Sequence, residues 1–191
     1  MKPPIEYFQA HIILNALNKQ TGNRVKILWI RNLNLKGVLS VAKETLLFQV
    51  KTTREWILET FDKVSVEDMT KIPEGFRNNI HWQLGHVAGM MELPTAALTD
   101  SKSDDGKRFQ KYFGYGTGPD DFDDETPSIE EIKALLEGQV PRLEDITEES
   151  LDEDLPREFM GMTKRNEQLS FMILHEALHA GKIQEMSKLI K

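Results

Sequence analysis

The 191-residue chain carries 31 Asp+Glu against 24 Lys+Arg, a formal net charge of −7, which argues against a general affinity for a nucleic acid backbone. It contains no cysteine, which excludes disulfides, a thiolate nucleophile and thiolate metal ligands and leaves His, Asp and Glu as candidate ligands. No apolar run approaches the roughly 18 residues of a membrane span, and residues 1–10 lack the continuous apolar region of a signal peptide, so a soluble cytoplasmic protein with no membrane partner is the expectation.

Residues 1–37 differ in character from the rest of the chain, with Lys2, Lys19, Arg24, Lys26, Arg31 and Lys36 set against the single acid Glu6. This basic N-terminal extension reads as a disordered or loosely packed tail, an added helix, translated upstream sequence or a targeting segment. Its stretch 25–30 has strand character but no strand partner is expected elsewhere in the chain. Residues 38–191 form the second unit, and its first helix is expected over 38–64, where Leu39, Ala42, Leu46, Leu47, Val50, Trp56, Ile57 and Phe61 fall at helical spacings. A connection with Pro73 and Gly75 leads to a second helix starting at Asn78 or Asn79 as N-cap and running to about Thr99. On its wheel His86 shares a face with Asn79, Trp82, Met90, Leu93 and Ala97 and joins the interior, whereas His81 points away from it. Pro94 is expected to kink this helix.

Residues 100–126 lose periodicity and read as a long loop, with Phe109, Tyr112, Phe113, Tyr115 and Phe122 packing part of it over the domain. Its Gly114-x-Gly116-x-Gly118 lacks the context of a phosphate loop, and the acids Asp120, Asp121, Asp123, Asp124 and Glu125 lack the ligand pattern of a calcium loop. Ser128, with Glu131 three residues on, forms a capping box that starts a third helix reaching about Ile146, kinked or split at Pro141. Residues 147–165 are acidic and irregular, and a final helix runs over 166–191. Four principal helices make an all-α four-helix bundle with a long loop between the second and third helices.

The last helix carries His175-Glu176-Ala177-Leu178-His179. At about 100° per residue, histidines four apart stand one above the other, so their imidazoles converge. Met172, Ile183 and Met186 lie beside them, while Phe171, Ile173, Leu174, Leu178 and Ala180 cover much of the remaining circumference, the pattern of a helix buried between others. The string matches the zincin signature, with two histidines on zinc and Glu176 as general base, but no sheet is expected to align a peptide and the extended form of the motif is absent. A metal site of His86, His175 and His179, assembled from facing helices, is the stronger reading; three core histidines bonded to carbonyls are the bland alternative. Three neutral imidazoles would leave an open position at which a water or a thiol is activated. Glu176 is a candidate acceptor behind a ligand, taking the outer N–H of an imidazole and fixing its tautomer, or else faces solvent or another helix. Trp82 and Met90 flank His86 as core residues or as the lining of a substrate pocket.

Asn78-Asn79-Ile80-His81-Trp82-Gln83-Leu84-Gly85-His86, taken with Leu174-His175-Glu176-Ala177-Leu178-His179-Ala180-Gly181-Lys182-Ile183-Gln184, resembles the paired signatures of the DinB-like superfamily. The resemblance covers about 41–191, including Pro73-Glu74-Gly75-Phe76 and Thr126-Pro127-Ser128. It implies a four-helix bundle of the DinB/YfiT type, a divalent metal, Zn or Ni, on His86, His175 and His179, and a frequent homodimer. Members with known activity are mostly transferases or isomerases that use bacillithiol, mycothiol or glutathione. The expectation is therefore a metal-dependent S-transferase joining a low-molecular-weight thiol cosubstrate to a small electrophile. Its alternatives are a non-catalytic metal-binding stress or interaction protein and, remotely, a metallohydrolase.

Overall fold

A computed structural model of the protein describes residues 43–101 and 105–190. The basic extension 1–37, with its strand-like stretch, lies outside the described residues, as does the start of the first helix. Among the described residues the chain forms seven α-helices, a single 3-10 turn at Pro119–Asp121 and a two-stranded hairpin. We number them α1 (Lys43–Lys63), α2 (Val66–Met69), α3 (Ile80–Leu98), α4 (Asp105–Phe113), α5 (Ile129–Glu144), α6 (Glu148–Asp152), β1 (Asp154–Phe159), β2 (Met162–Lys164) and α7 (Arg165–Leu189).

The four long helices form the expected all-α bundle: α7 packs against α1 and α3, and α5 packs against the same two. Local chemistry sets their starts. Asn79 Oδ1 accepts from the Trp82 amide at 2.8 Å, opening α3, while its Nδ2 donates to Thr70 O at 2.9 Å. At α5, Ser128 Oγ accepts from Glu131 N and Glu131 Oε2 accepts from Ser128 N, the reciprocal capping box. Both Pro94 and Pro141 lie inside helices that continue past them to Leu98 and Glu144, so neither splits its helix.

Two segments read as irregular hold regular structure. Within residues 100–126, α4 buries Phe109, Tyr112 and Phe113 at i, i+3 and i+4 against α3. The approach is close because α3 offers glycines there: a Cβ on Gly85 would stand 2.6 Å from the Phe113 ring, and one on Gly89 2.8 Å from Phe109 Cβ. Gly85→Ala is accordingly expected to destabilise the protein by about 1–3 kcal/mol through overpacking, read as a lower thermal midpoint. Within 147–165, α6 is followed by the antiparallel pair β1 and β2, with Phe159 paired to Met162 across a two-residue turn. Met160 and Gly161 both have positive φ, 53° and 86°, as a type I′ hairpin turn requires. The expectation that residues 147–165 are irregular is thus corrected, within a fold that is otherwise all-α.

The wheel of the last helix is corrected as well. Met172, Ile173, Ala180, Ile183 and Met186 are buried, but Leu174 and Leu178 are 64% and 74% exposed. Of the described long helices only α1 and α3 pack on α7, so one stripe of it faces outward rather than being enclosed all round.

Candidate metal centre

His86 on α3 and His175 and His179 on α7 meet where these two helices pack, and one ring nitrogen from each falls within 4.8 Å of the others. His175 Nε2 lies 3.3 Å from His86 Nε2 and 3.2 Å from His179 Nε2. Two imidazole nitrogens bound tetrahedrally at about 2.0–2.1 Å from a zinc-sized cation stand about 3.3 Å apart. The two spacings about His175 therefore suit such a cation.

The protons are on the far side of two of the rings. His86 Nδ1 lies 2.6 Å from Phe113 O and His179 Nδ1 lies 2.6 Å from Gln83 Oε1. A carbonyl oxygen only accepts, so both Nδ1 atoms donate, and both Nε2 atoms present a lone pair to the centre. The Phe113 carbonyl ends α4, where the unsatisfied peptide oxygens of a helix carry partial negative charge. The docking of α4 under the two glycines of α3 thus also orients His86. Trp82 stacks on the His86 ring at 4.8 Å and 11°, and its Nε1 donates to Thr117 Oγ1 at 3.0 Å, which ties the loop after α4 to the same ring. Phe171 stacks against His175 from one turn earlier in α7.

Burial holds the His175 imidazole down to about 4 and that of His179 down to about 2; His86 and Lys182 add to both shifts, and His175 adds to that of His179. In the metal-free protein the folded state then binds fewer protons than the unfolded chain below about pH 6.5, so stability rises with pH. It is complete above that value and is lost as pH falls toward the folded pKa values. Thermal melts of metal-free protein are expected to be flat from pH 8 to 7 and to decline steadily from about pH 6.5 to 4. A midpoint unchanged over that interval would contradict the buried, neutral assignment.

Glu176 turns to another helix rather than to the histidine cluster. Its carboxylate is buried and takes a forked pair of bonds from Arg54 on α1, Nε to Oε1 at 2.8 Å and Nη2 to Oε2 at 3.1 Å. Of the two readings of Glu176, an acceptor behind an imidazole or a residue facing solvent or another helix, the structure has the second: Glu176 faces another helix. His81 stays apart from the three clustered histidines, as expected, yet it is not simply outward. Its Nε2 donates to Pro127 O at 2.8 Å and its ring lies against Phe113 and Phe122, where burial lowers its pKa.

The family model of the DinB superfamily matches residues 49–183, which include all three histidines. The chain belongs to the DinB superfamily. Its fold is also similar to that of a conserved protein from Enterococcus faecalis known from a crystal structure. That similarity has a TM-score of 0.61 at 16% identity and covers 80% of this chain and 98% of the other. At that identity the likeness concerns the fold alone. No curated protein matches the chain.

Three features of this DinB site lie beyond the histidines themselves. Gln83 precedes His86 by three residues and so shares its face, a signal that was there to read. Arg54 falls four residues after Val50 and three before Ile57 on the inward side of α1, and an arginine in such a stripe calls for a partner. The Phe113 carbonyl carries no sequence signal, since any residue supplies one. No helix among the described residues of this superfamily member is long and apolar enough to cross a membrane.

Proposed function

We propose that this DinB protein holds a divalent cation on His86, His175 and His179 and uses it to transfer a low-molecular-weight thiol onto a small electrophile. The observation that carries the reading is the direction of the protons: two imidazoles have Nδ1 committed to carbonyl oxygens, so their lone pairs face the third ring. Uncharged nitrogen donors of this kind suit Zn²⁺ or Ni²⁺, and with no carboxylate among the three ligands the charge of the ion is left for an anionic fourth partner. When bound, such a cation lowers the pKa of a thiol or a water at its open position and so supplies a nucleophile near neutral pH.

The protein's own groups prepare that position. Gln83 and the Phe113 carbonyl fix two ring orientations, Trp82 and Phe171 wall the cluster with apolar surface, and His175, only partly buried, leaves a way in from solvent. In the transfer a sulfur–carbon bond forms, the leaving group departs with its electron pair and the thiol proton passes to solvent. Peptide hydrolysis through the His-Glu-x-x-His string is disfavoured, because the glutamate is held in a buried ion pair with Arg54 of α1.

The test is elemental analysis of the purified protein followed by turnover of a model electrophile with bacillithiol, mycothiol and glutathione in turn. Metal-dependent turnover above background with one of them is expected. A protein that holds metal while no thiol reacts would instead be a non-catalytic metal-binding protein.

A further inference from the structure

The bundle core contains a run of charged and amide side chains that the chemistry above does not use. Arg54 and Glu176 are 2% and 1% exposed. Arg54 Nη1 donates to the Leu136 carbonyl and, at 3.0 Å, to Gln139 Oε1. Gln139 Nε2 donates in turn to Ala88 O and to Glu92 Oε2, both at 2.9 Å, and Glu92 pairs with Arg142. The route runs from α7 through α1 and α5 to α3. It begins at Glu176, between His175 and His179, and touches α3 at Ala88, two residues after His86.

We propose that Arg54, Glu176 and Gln139 are positioning residues for the three-histidine centre, setting the rotation of α7 against α3 so that the ligand nitrogens converge. The inference rests on reading His86, His175 and His179 as a metal site. Its physical basis is what a buried ion pair does and does not supply. Removing two charges from water is costly, and well-packed apolar residues of similar volume often serve stability as well or better. The forked guanidinium–carboxylate contact adds direction, because it is satisfied at one separation and one orientation. Direction matters for α7: ring nitrogens stand about 5–6 Å from a helix axis, so a turn of about 10° moves them by about 1 Å. That is twice the tolerance of about 0.5 Å within which a binding constellation must be held. Apolar packing of leucines and isoleucines permits such a slip more readily than a fork does.

The test uses the full-length protein loaded with Co²⁺, whose visible absorption reports coordination geometry. The double variant Arg54→Met, Glu176→Leu removes both charges together and is expected to melt close to the wild type. It should nevertheless bind Co²⁺ about 10- to 100-fold more weakly, with an altered visible spectrum, in the range seen when supporting contacts of metal ligands are lost. Glu176→Gln keeps side-chain volume and one acceptor for Arg54 and should show a smaller change of the same kind, which secures the test should the double variant not fold. Lys51→Met, which breaks the surface pair with Glu144, should change neither quantity. Wild-type affinity and spectrum in the folded double variant, or in Glu176→Gln if the double variant does not fold, would overturn the positioning role while leaving the metal site intact. A wild type that takes up no Co²⁺ would overturn the metal site itself and this inference with it.

Discussion

His175→Ala is expected to reduce metal affinity by well over roughly 100-fold, since loss of a mere supporting hydrogen bond to a ligand already costs about 10- to 100-fold. His175 is the middle member of the cluster, 3.3 Å from one partner nitrogen and 3.2 Å from the other, so its loss leaves two donors with no shared neighbour. His86→Ala and His179→Ala should be comparably severe. His81→Ala removes a bond to Pro127 O and contacts with two phenylalanine rings but no ligand, and should lower stability modestly with metal content unchanged. Metal titration followed by isothermal calorimetry separates these cases. Loss of metal on His81→Ala equal to that on His86→Ala would mean that the ligand set is wrong.

Arg54→Met alone is expected to destabilise the fold by about 3–5 kcal/mol, because it strands the buried carboxylate of Glu176 without a counter-charge. Glu176→Leu alone should cost a similar amount by stranding the guanidinium. The two effects should not add. The double substitution removes both charges and leaves mainly the Gln139 Oε1 and Leu136 O contacts unmet, so most of the loss is recovered. Chemical denaturation of the three variants measures the coupling directly, and strictly additive losses would show that the pair does not act as one unit.

Much of the bundle was legible because its signals are local. The Ser128 capping box, the Asn79 cap and most of the inward positions of α5 depend on residues within a few positions of one another, and the structure realises them, whereas Trp56 of the α1 stripe and Leu93 of the α3 stripe are exposed. The histidine spacing in α7 was legible for the same reason. The α4 helix was concealed by its surroundings: its Phe109, Tyr112 and Phe113 have helical spacing, but glycines and acids on the C-terminal side dilute the pattern. The hairpin after α6 was concealed by its length, with β2 spanning only Met162–Lys164. Three residues are too few for an alternation to register.

The sequence by itself determined which residue types could bind metal, that no thiolate is among them, and that His175 and His179 share one face of a helix. Only the tertiary structure decided what each face meets. Leu174 and Leu178 look like core residues on a wheel and are exposed, while Glu176 looks like a surface or site residue and is buried on Arg54, 122 positions earlier in the chain. The tautomers of His86 and His179 likewise depend on Phe113 O and Gln83 Oε1, 27 and 96 positions away. A helix's periodicity fixes the angles between its own side chains, but the neighbours that fill those directions arrive from distant parts of the chain, and their packing sets which direction is inside.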